Sequence, residues 1–303
     1  MDIELVLPEL REPMRRAQLT APRWLVRLAV RVMPVPRSRS VRVSRARAAS
    51  AGLRVYLPRG ARSGAGLLWI HGGGLLFGDA RQDEALCLST AERLGMVVVS
   101  VNYRLAPEHP FPAAHDDVAA AWAWFVHHAG ELGVDPHRLV IGGESAGGGL
   151  AAALVQRVRD EAGVQPRGQW LFAPMLDDRT AARSELDDRR HFVWDNASNR
   201  EGWTAYLGSP PGSPDVPASA SPARRSDLSG LPSTFLTWGD IELFAEEDRA
   251  YADALRAAGV PVTTDVVTGA PHGFENWGRK APVAQALIAR AQDWLRTTVH
   301  DAG

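Results

Sequence analysis

The sequence predicts an α/β fold in which a mostly parallel sheet carries helices on both faces. Continuous apolar runs suit strands that are buried on both faces of such a sheet, and they lie at 67–70, 96–101, 139–141, 170–172, 234–238 and 262–267. Segments with helical periodicity separate these runs, at 81–94, 114–130, 146–162, 246–258 and 281–298. Strands that alternate with helices in this way are typical of a doubly wound sheet.

Two stretches depart from this alternation. Residues 39–47 and 53–57 alternate apolar and polar side chains, which predicts two exposed antiparallel strands joined at Ala51-Gly52. Residues 176–230 are rich in Asp, Arg, Ser, Pro and Ala, yet they contain large aromatic rings that a disordered linker would rarely hold: Trp194, Trp203 and Tyr206. We therefore expect this insertion to pack on the top of the sheet.

Composition is ordinary for a soluble globular protein and excludes several classes of function. The 303 residues suffice for one large domain or two small ones, and 45% of them are hydrophobic and 23% charged. A net charge of −1 gives no overall attraction for nucleic acid. Cys87 is the single cysteine, which excludes an intramolecular disulfide framework and a cysteine-based metal site.

The amino-terminal region differs from the rest of the chain in its charge. Residues 1–62 carry 14 arginines against four acidic residues. This indicates either a surface for a membrane or an anionic partner, or a solvated face enriched in Arg by genome bias. Residues 24–33 are apolar but are interrupted by Arg27 and Arg31, so they cannot span a bilayer and predict an amphipathic helix. Such a helix can lie on a membrane surface, but the favoured interpretation is that it covers an apolar pocket of the protein itself. The opening residues 1–4 are acidic and lack the features of a secretory leader, so we expect a cytoplasmic protein without an integral membrane segment.

The strongest signal for chemistry is Gly143-Glu144-Ser145-Ala146-Gly147, which directly follows an apolar strand. Its glycines allow a sharp turn from strand to helix, and this turn lifts the Ser145 hydroxyl above the edge of the sheet. Serine is a poor nucleophile at neutral pH, because it needs a neighbouring base to take its proton. That base in turn needs an acid to hold it in the correct tautomer.

Candidates for the base and the acid follow later strands of the predicted sheet. His272 is the best candidate base because it lies in the loop after the last apolar strand, and parallel sheets form their active sites at the carboxyl ends of strands. Asp240 and Glu242 both follow the strand at 234–238. The pattern of residues by itself leaves the choice between these two acids open.

A run of glycines, His71-Gly72-Gly73-Gly74, follows the strand at 67–70. The backbone N–H groups of Gly72 and Gly73, together with that of Ala146, predict an oxyanion hole for an acyl-transfer reaction. A phosphate-binding loop is disfavoured because no Lys-Ser/Thr pair follows and no helix starts at once. A dinucleotide fingerprint in the right context and a His-Glu-x-x-His zinc motif are also absent, so we expect no cofactor and no metal.

Taken together, these motifs resemble those of bacterial hormone-sensitive lipase-like esterases in the α/β-hydrolase superfamily. The matching segments keep the same order over roughly residues 50 to 298, at 71–74, 101–108, 142–148 and 272–274. The resemblance implies an eight-stranded, mostly parallel sheet with an antiparallel second strand and a helical cap. It implies a catalytic domain of 44–175 and 231–303, with the cap formed by 1–43 and 176–230.

The same resemblance bears on individual residues. The acid of this family is usually Asp in a Gly-x-x-Asp context, and Glu242 takes that position here, so the resemblance favours Glu242 over Asp240. Glu144 stands where Asp is commoner and is expected to hold the loop rather than exchange protons. Residues 103–108 are similar to a stretch that supports the oxyanion loop, and we expect no direct chemistry from them.

The expected activity is hydrolysis of carboxylic esters by Ser145, Glu242 and His272 through an acyl-enzyme. The resemblance favours esters with short to medium acyl chains, and the side chains expected around the substrate are apolar: Leu75, Leu76, Phe77, Trp194 and Trp203. An amidase with the same triad is the alternative. A non-catalytic ligand-binding relative is a further one, disfavoured by the intact loop around His272. Homodimers are common in this family, and the last strand and helix, 261–267 and 281–298, would form the interface.

Overall fold

The structure, a computed structural model, describes residues 1–17 and 23–300 and contains one sheet of eight strands. The strands are β1 Val41–Ala48, β2 Ala51–Pro58, β3 Gly66–Ile70, β4 Val97–Asn102, β5 Leu139–Glu144, β6 Gly168–Phe172, β7 Ser233–Gly239 and β8 Val262–Val267. The α-helices in this part of the chain are α1 Pro8–Ala17, α2 Arg23–Val32, α3 Glu84–Leu94, α4 Ala113–His128, α5 Ala146–Asp160, α6 Asp178–Ala182, α7 Asn196–Leu207, α8 Ala245–Ala257, α9 Phe274–Trp277 and α10 Pro282–His300.

The sheet has the order β1-β2-β4-β3-β5-β6-β7-β8. β2 is antiparallel to both of its neighbours, and every other adjacent pair is parallel. Every residue of β3, β5 and β6 is buried, because helices cover both faces of the sheet. α3 and α10 contact each other on one face, and α4 and α5 contact each other on the opposite face. The predicted fold class is confirmed.

The predicted position of the turn between the first two strands is wrong by two residues. β1 pairs with β2 so that Ala48 faces Ala51, which leaves Ala49 and Ser50 as a tight two-residue turn. Ala49 has a φ of 49° there, as such hairpins require. Ala51 and Gly52 therefore begin β2 instead of joining the strands.

Two strands also differ from expectation in their burial. β2 is mostly buried, although its alternating sequence predicted an exposed strand, because α3 and α4 both pack against it. β8 is half-exposed, although its apolar run predicted burial on both faces, because it is the last strand at one edge of the sheet. The sequence of a strand does not show how many helices pack against it or whether it lies at the edge of the sheet.

The two segments expected to form the cap carry the helices α1, α2, α6 and α7. Two aromatic rings of the insertion at 176–230, those of Trp203 and Tyr206, are buried, and the Tyr206 carbonyl accepts a hydrogen bond from the N–H of Phe111 at 2.7 Å. Residues 41–43 lie in β1 and not in the first cap segment, which moves its boundary. None of the helices within residues 1–17 and 23–300 is long and apolar enough to cross a membrane.

The end of β7 passes unusually close to the loop that carries His272. A Cβ atom added at Gly239 would lie 1.8 Å from the carbonyl oxygen of Ala270. We therefore expect Gly239→Ala to lower the free energy of unfolding by at least 1–3 kcal/mol, roughly the penalty of an overpacked core, and to lower activity with it.

Urea unfolding followed by circular dichroism measures this effect. Gly60→Ala is the matched control, since a Cβ at Gly60 would have no neighbour within 4 Å. Equal unfolding midpoints for the two variants would contradict the close approach of β7 to the His272 loop.

Candidate active site

Ser145 lies at the turn between β5 and α5, at the carboxyl end of a central strand. Its φ of 54° and ψ of −121° are strained for a residue with a side chain. The turn is held because the Ser145 N–H donates to the carbonyl of Phe172 at 2.8 Å and the Ser145 carbonyl accepts from the N–H of Met175 at 2.9 Å. A Cβ on Gly147 would lie 2.1 Å from the carbonyl oxygen of Ile70, so only glycine lets α5 begin this close to β3.

Ser145, His272 and Glu242 form one continuous hydrogen-bonded chain. The Nε2 atom of His272 lies 2.9 Å from Oγ of Ser145, and its Nδ1 atom bonds directly to Oε2 of Glu242. A carboxylate only accepts, so Nδ1 carries the ring proton and Nε2 is left free to take the proton of the serine hydroxyl. All three residues are buried.

The structure brings Glu242, and not Asp240, to the imidazole. Oε1 of Glu242 also accepts the N–H of Gly239 at 3.0 Å, which fixes the carboxylate relative to the end of β7. Asp240 is exposed, and its Oδ1 accepts the N–H of Gly269 at 2.7 Å. The two acids therefore serve different parts of the loop: one contacts His272 and the other holds the turn after β8.

The glycine run passes directly beside the nucleophile. A Cβ on Gly72 would lie 3.2 Å from the Cβ of Ser145. Ala146 is the first residue of α5, so its N–H is one of the groups that a helix leaves without an internal partner. In the part of the chain that the structure describes, the N–H groups of Gly72, Gly73 and Ala146 donate to no protein acceptor.

The segment 103–108 supports this glycine loop. The Tyr103 hydroxyl donates to the His71 carbonyl at 3.0 Å, and the two rings stack with centroids 4.3 Å apart. The N–H of Ala106 donates to the carbonyl of Leu75 at 3.0 Å. Burial lowers the pKa of His71 to about 4, so its ring is neutral and acts through packing and a bond from Nδ1–H to the carbonyl of Gly72.

Arg27 is a supporting residue that the sequence did not reveal. Its guanidinium donates to the carbonyl of Leu76 at 2.7 Å and to that of Ala106 at 2.8 Å, and it pairs with Glu108 at 2.7 Å. It therefore ties helix α2 to the loop that carries the glycines. The only signal in the sequence was an arginine that interrupts an apolar helix, which is also what a solvated face would show.

Glu144 links the nucleophile turn to the histidine loop. Its Oε2 accepts a hydrogen bond from Nδ2 of Asn276 at 2.5 Å. Burial raises the pKa of Glu144 well above its usual range, and the nearby carboxyls of Asp83 and Glu275 raise it further. This geometry fits a residue that holds the loop. Asn276 carries no recognisable motif, so sequence reasoning could not find it.

An open groove of about 550 Å³ lies beside the glycine loop. Leu76, Phe77 and Trp194, three of the expected substrate-contacting residues, line it together with Trp24, Val26, Arg27, Glu108, Ser198 and Glu201. The structure places the other two, Leu75 and Trp203, in the interior and not on the groove wall. Leu75 is buried, and its carbonyl accepts a hydrogen bond from the N–H of Ala106, while Trp203 packs against Tyr206.

Other parts of the described chain offer less for chemistry. A second groove, of about 480 Å³, lies at the amino ends of β6 and β7, at the opposite edge of the sheet from Ser145. Within residues 1–17 and 23–300, no group of three or more His, Cys, Asp or Glu side chains is arranged to hold a metal ion.

Buried carboxyls near the triad predict a dependence of stability on pH. Burial raises the pKa of Asp83 from 3.8 to about 7 and that of Glu275 from 4.5 to about 8. A raised folded-state pKa means that the folded protein binds more protons than the unfolded chain. These protonated carboxyls therefore make their full contribution to the free energy of unfolding below about pH 4, and this contribution is lost as the pH rises through about 8.

We expect Glu275→Gln to remove part of this loss of stability at high pH, because a glutamine does not ionise. The free energy of unfolding is measured in urea at pH 5 and at pH 9. Its decrease from pH 5 to pH 9 should be smaller in the variant than in the parent, by at least about 1 kcal/mol. Glu131→Gln, at an exposed position, is the control and should leave the difference unchanged. An identical pH dependence in parent and Glu275→Gln would refute the argument.

Comparisons with known proteins agree with this geometry. The profile of a family with the α/β-hydrolase fold matches residues 67–276. The carboxylic ester hydrolase LipN of Mycobacterium tuberculosis is 37% identical over 235 residues, which are 74% of this chain and 60% of LipN. This chain thus spans less than two thirds of the length of LipN.

Solved structures are similar over almost the whole chain. A bacterial heroin esterase has a TM-score of 0.91 and 33% identity, and the match covers 99% of both chains. An esterase of the bacterial hormone-sensitive lipase family has a TM-score of 0.83 and 28% identity, and it covers 97% of this chain and 99% of its own. The expected resemblance is confirmed: the chain belongs to the α/β-hydrolase fold family and, within it, to the bacterial hormone-sensitive lipase-like esterases.

Proposed function

We propose that this protein is a serine carboxylesterase that hydrolyses esters of short to medium acyl chains. The observation that carries the proposal is the chain of contacts from Glu242 through His272 to Ser145, with Nε2 and Oγ 2.9 Å apart. Gly72, which passes beside Ser145, and Ala146, which directly follows it, carry backbone N–H groups that donate to no protein acceptor in the described residues. This combination supports attack on an acyl carbon by an activated serine.

In the proposed reaction, Ser145 attacks the ester carbonyl while Nε2 of His272 takes the hydroxyl proton. Glu242 holds the Nδ1–H bond and stabilises the imidazolium that forms. The N–H groups of Gly72, Gly73 and Ala146 bind the developing oxyanion, whose charge is greatest in the tetrahedral intermediate. His272 then protonates the leaving alcohol, and water repeats the steps on the acyl-enzyme to release the acid.

The groove between α2 and α7 supports an apolar substrate group. Leu76, Phe77 and Trp194 supply its apolar wall. Residues of α2 and of the insertion face each other across it, which supports a cap made from the segment before β1 and from 176–230. We propose that these two segments cover the substrate and limit the length of the acyl chain.

A series of p-nitrophenyl esters with acyl chains of two to sixteen carbons tests the substrate class. We expect kcat/KM to be greatest at four to eight carbons and to fall at least tenfold at sixteen, roughly the selectivity that an apolar pocket provides. Matched anilides test the amidase alternative, since an amide leaving group is harder to expel. Anilide turnover equal to that of the esters, or a maximum at sixteen carbons, would contradict the proposal.

The expected cytoplasmic location and the homodimer through 261–267 and 281–298 stay predictions. Cell fractionation with an antibody against the protein tests the first. Sedimentation equilibrium, with the exposed Val266 of β8 changed to Glu, tests the second.

A further inference from the structure

Helix α2 presents apolar side chains to solvent. Trp24 is 67% exposed, Leu25 41%, Leu28 50% and Val32 67%. Trp24, Leu28 and Val32 are spaced four residues apart, so they lie one above the other on one face of the helix, and Leu25 lies beside them. Of the eight large hydrophobic side chains that are exposed in the described residues, four belong to this ten-residue helix.

The helix is held in this orientation by polar contacts on its other side. Arg27 reaches into the protein and binds two backbone carbonyls and Glu108. Arg81 donates to the carbonyls of Arg31 and Met33, at the end of the helix. The expectation that the apolar face covers a pocket is therefore only partly met: Trp24 and Val26 reach the groove, while Leu25, Leu28 and Val32 are exposed to solvent.

The chain that carries this face is rich in arginine. From residue 13 to residue 78 the chain contains 13 arginines and no aspartate or glutamate. Arg31, Arg37 and Arg39, on α2 and directly after it, are exposed. In the described part of the chain none of these three guanidinium groups forms an ion pair with a carboxylate.

We propose that α2 and the segment to residue 39 dock the protein on the surface of an anionic lipid bilayer. An amphipathic helix of this kind inserts its apolar side chains at the level of the headgroups, and arginines beside it attract anionic lipids. A symmetric dimer through the same face would instead bring the unpaired arginines of both copies together. The charge therefore selects a bilayer over a second copy.

Docking in this way would place the groove at the lipid surface. Trp24 belongs both to the exposed apolar face and to the groove wall, which continues to Leu76 in the loop beside Ser145. Esters dissolved in the bilayer could then enter without crossing water. This consequence rests on the proposed esterase function, whereas the binding to lipid does not.

Co-sedimentation with vesicles tests the docking, with the full chain carrying Ser145→Ala so that turnover plays no part. We expect binding to phosphatidylcholine vesicles that contain phosphatidylglycerol, little binding to phosphatidylcholine alone, and weaker binding as salt is raised. Leu28→Glu should weaken binding about tenfold or more, since it removes an apolar contact with the bilayer and adds a charge that anionic headgroups repel. Leu5→Glu, which adds the same charge at an exposed apolar position outside α2 and outside the predicted dimer interface, should not.

The arginines require their own pair of variants. Arg37→Gln with Arg39→Gln should weaken binding to the anionic vesicles severalfold, whereas Arg249→Gln with Arg256→Gln, at exposed positions on α8, should leave it unchanged. Hydrolysis of soluble p-nitrophenyl butyrate by Leu28→Glu with Ser145 intact should stay at the parent rate, because Leu28 lines neither the triad nor the groove.

Three results would overturn the proposal: no binding to anionic vesicles at low salt, equal losses in the α2 and control variants, or a concentration-dependent dimer that Leu28→Glu dissociates without any vesicle binding. The last would assign the face to a second copy. Vesicle binding without esterase activity would leave the docking standing and overturn the proposed function instead.

Discussion

Ser145→Ala is expected to lower kcat for p-nitrophenyl butyrate by roughly 10⁵- to 10⁶-fold. The hydroxyl of Ser145 is the group that Nε2 of His272 contacts at 2.9 Å, and the proposed acyl-enzyme cannot form without it. Only the contribution of substrate binding and of the oxyanion hole should remain, about 10³- to 10⁴-fold over water.

The parent and the variant should also differ in covalent labelling. A fluorophosphonate should label the parent at Ser145 and leave Ser145→Ala unlabelled. The thermal unfolding temperature, measured on both, is the control for folding and should be nearly equal, because alanine keeps the Cβ atom and the φ of 54° stays equally strained. Turnover by Ser145→Ala near the parent rate would end the proposal for this site.

Glu242→Gln is expected to have the second largest effect, a loss of about 10³- to 10⁴-fold in kcat. The carboxylate holds the proton on Nδ1 of His272, so that Nε2 faces Ser145 as an acceptor. A glutamine in its place can donate to Nδ1 and so favour the wrong tautomer. The substitution keeps the size of the side chain, so the loss reports chemistry more than packing.

Asp240→Asn is the matched comparison for Glu242→Gln. Asp240 is exposed, and its carboxylate accepts a hydrogen bond from the backbone N–H of Gly269 and does not contact His272, so kcat should stay within about twofold of the parent. Kinetics of both variants with p-nitrophenyl butyrate decide the assignment. If Asp240→Asn loses several orders of magnitude and Glu242→Gln does not, the acid is Asp240.

Much of the fold could be predicted because its signals are local. Strands such as β3 and β5 are continuous apolar runs, and a strand that is buried on both faces needs such a run wherever it occurs. The strained turn at Ser145 requires small neighbours, so it leaves a recognisable sequence. The burial of β2 and β8 was predicted wrongly, because it depends on which helices cover these parts of the sheet. No single segment of the sequence encodes that coverage.

The choice of the triad acid shows where prediction from the sequence ends and the tertiary structure is needed. Asp240 and Glu242 have the same chemistry and nearly the same position in the chain, so the residues themselves left the choice open. In the structure, the end of β7 directs Glu242 towards His272 and Asp240 towards Gly269. A difference of two residues in a turn changes the direction of a side chain completely, and only the path of the backbone fixes it.

The sequence by itself determined the fold class, the order of the motifs and the identity of the candidate nucleophile and base. Only the tertiary structure decided which acid reaches the imidazole, that Asn276 and Arg27 brace the site, and that α2 turns an apolar face to solvent. The reason is physical: periodicity and turn chemistry act between neighbours in the chain, whereas these contacts join segments that are distant in sequence and meet only when the sheet is assembled.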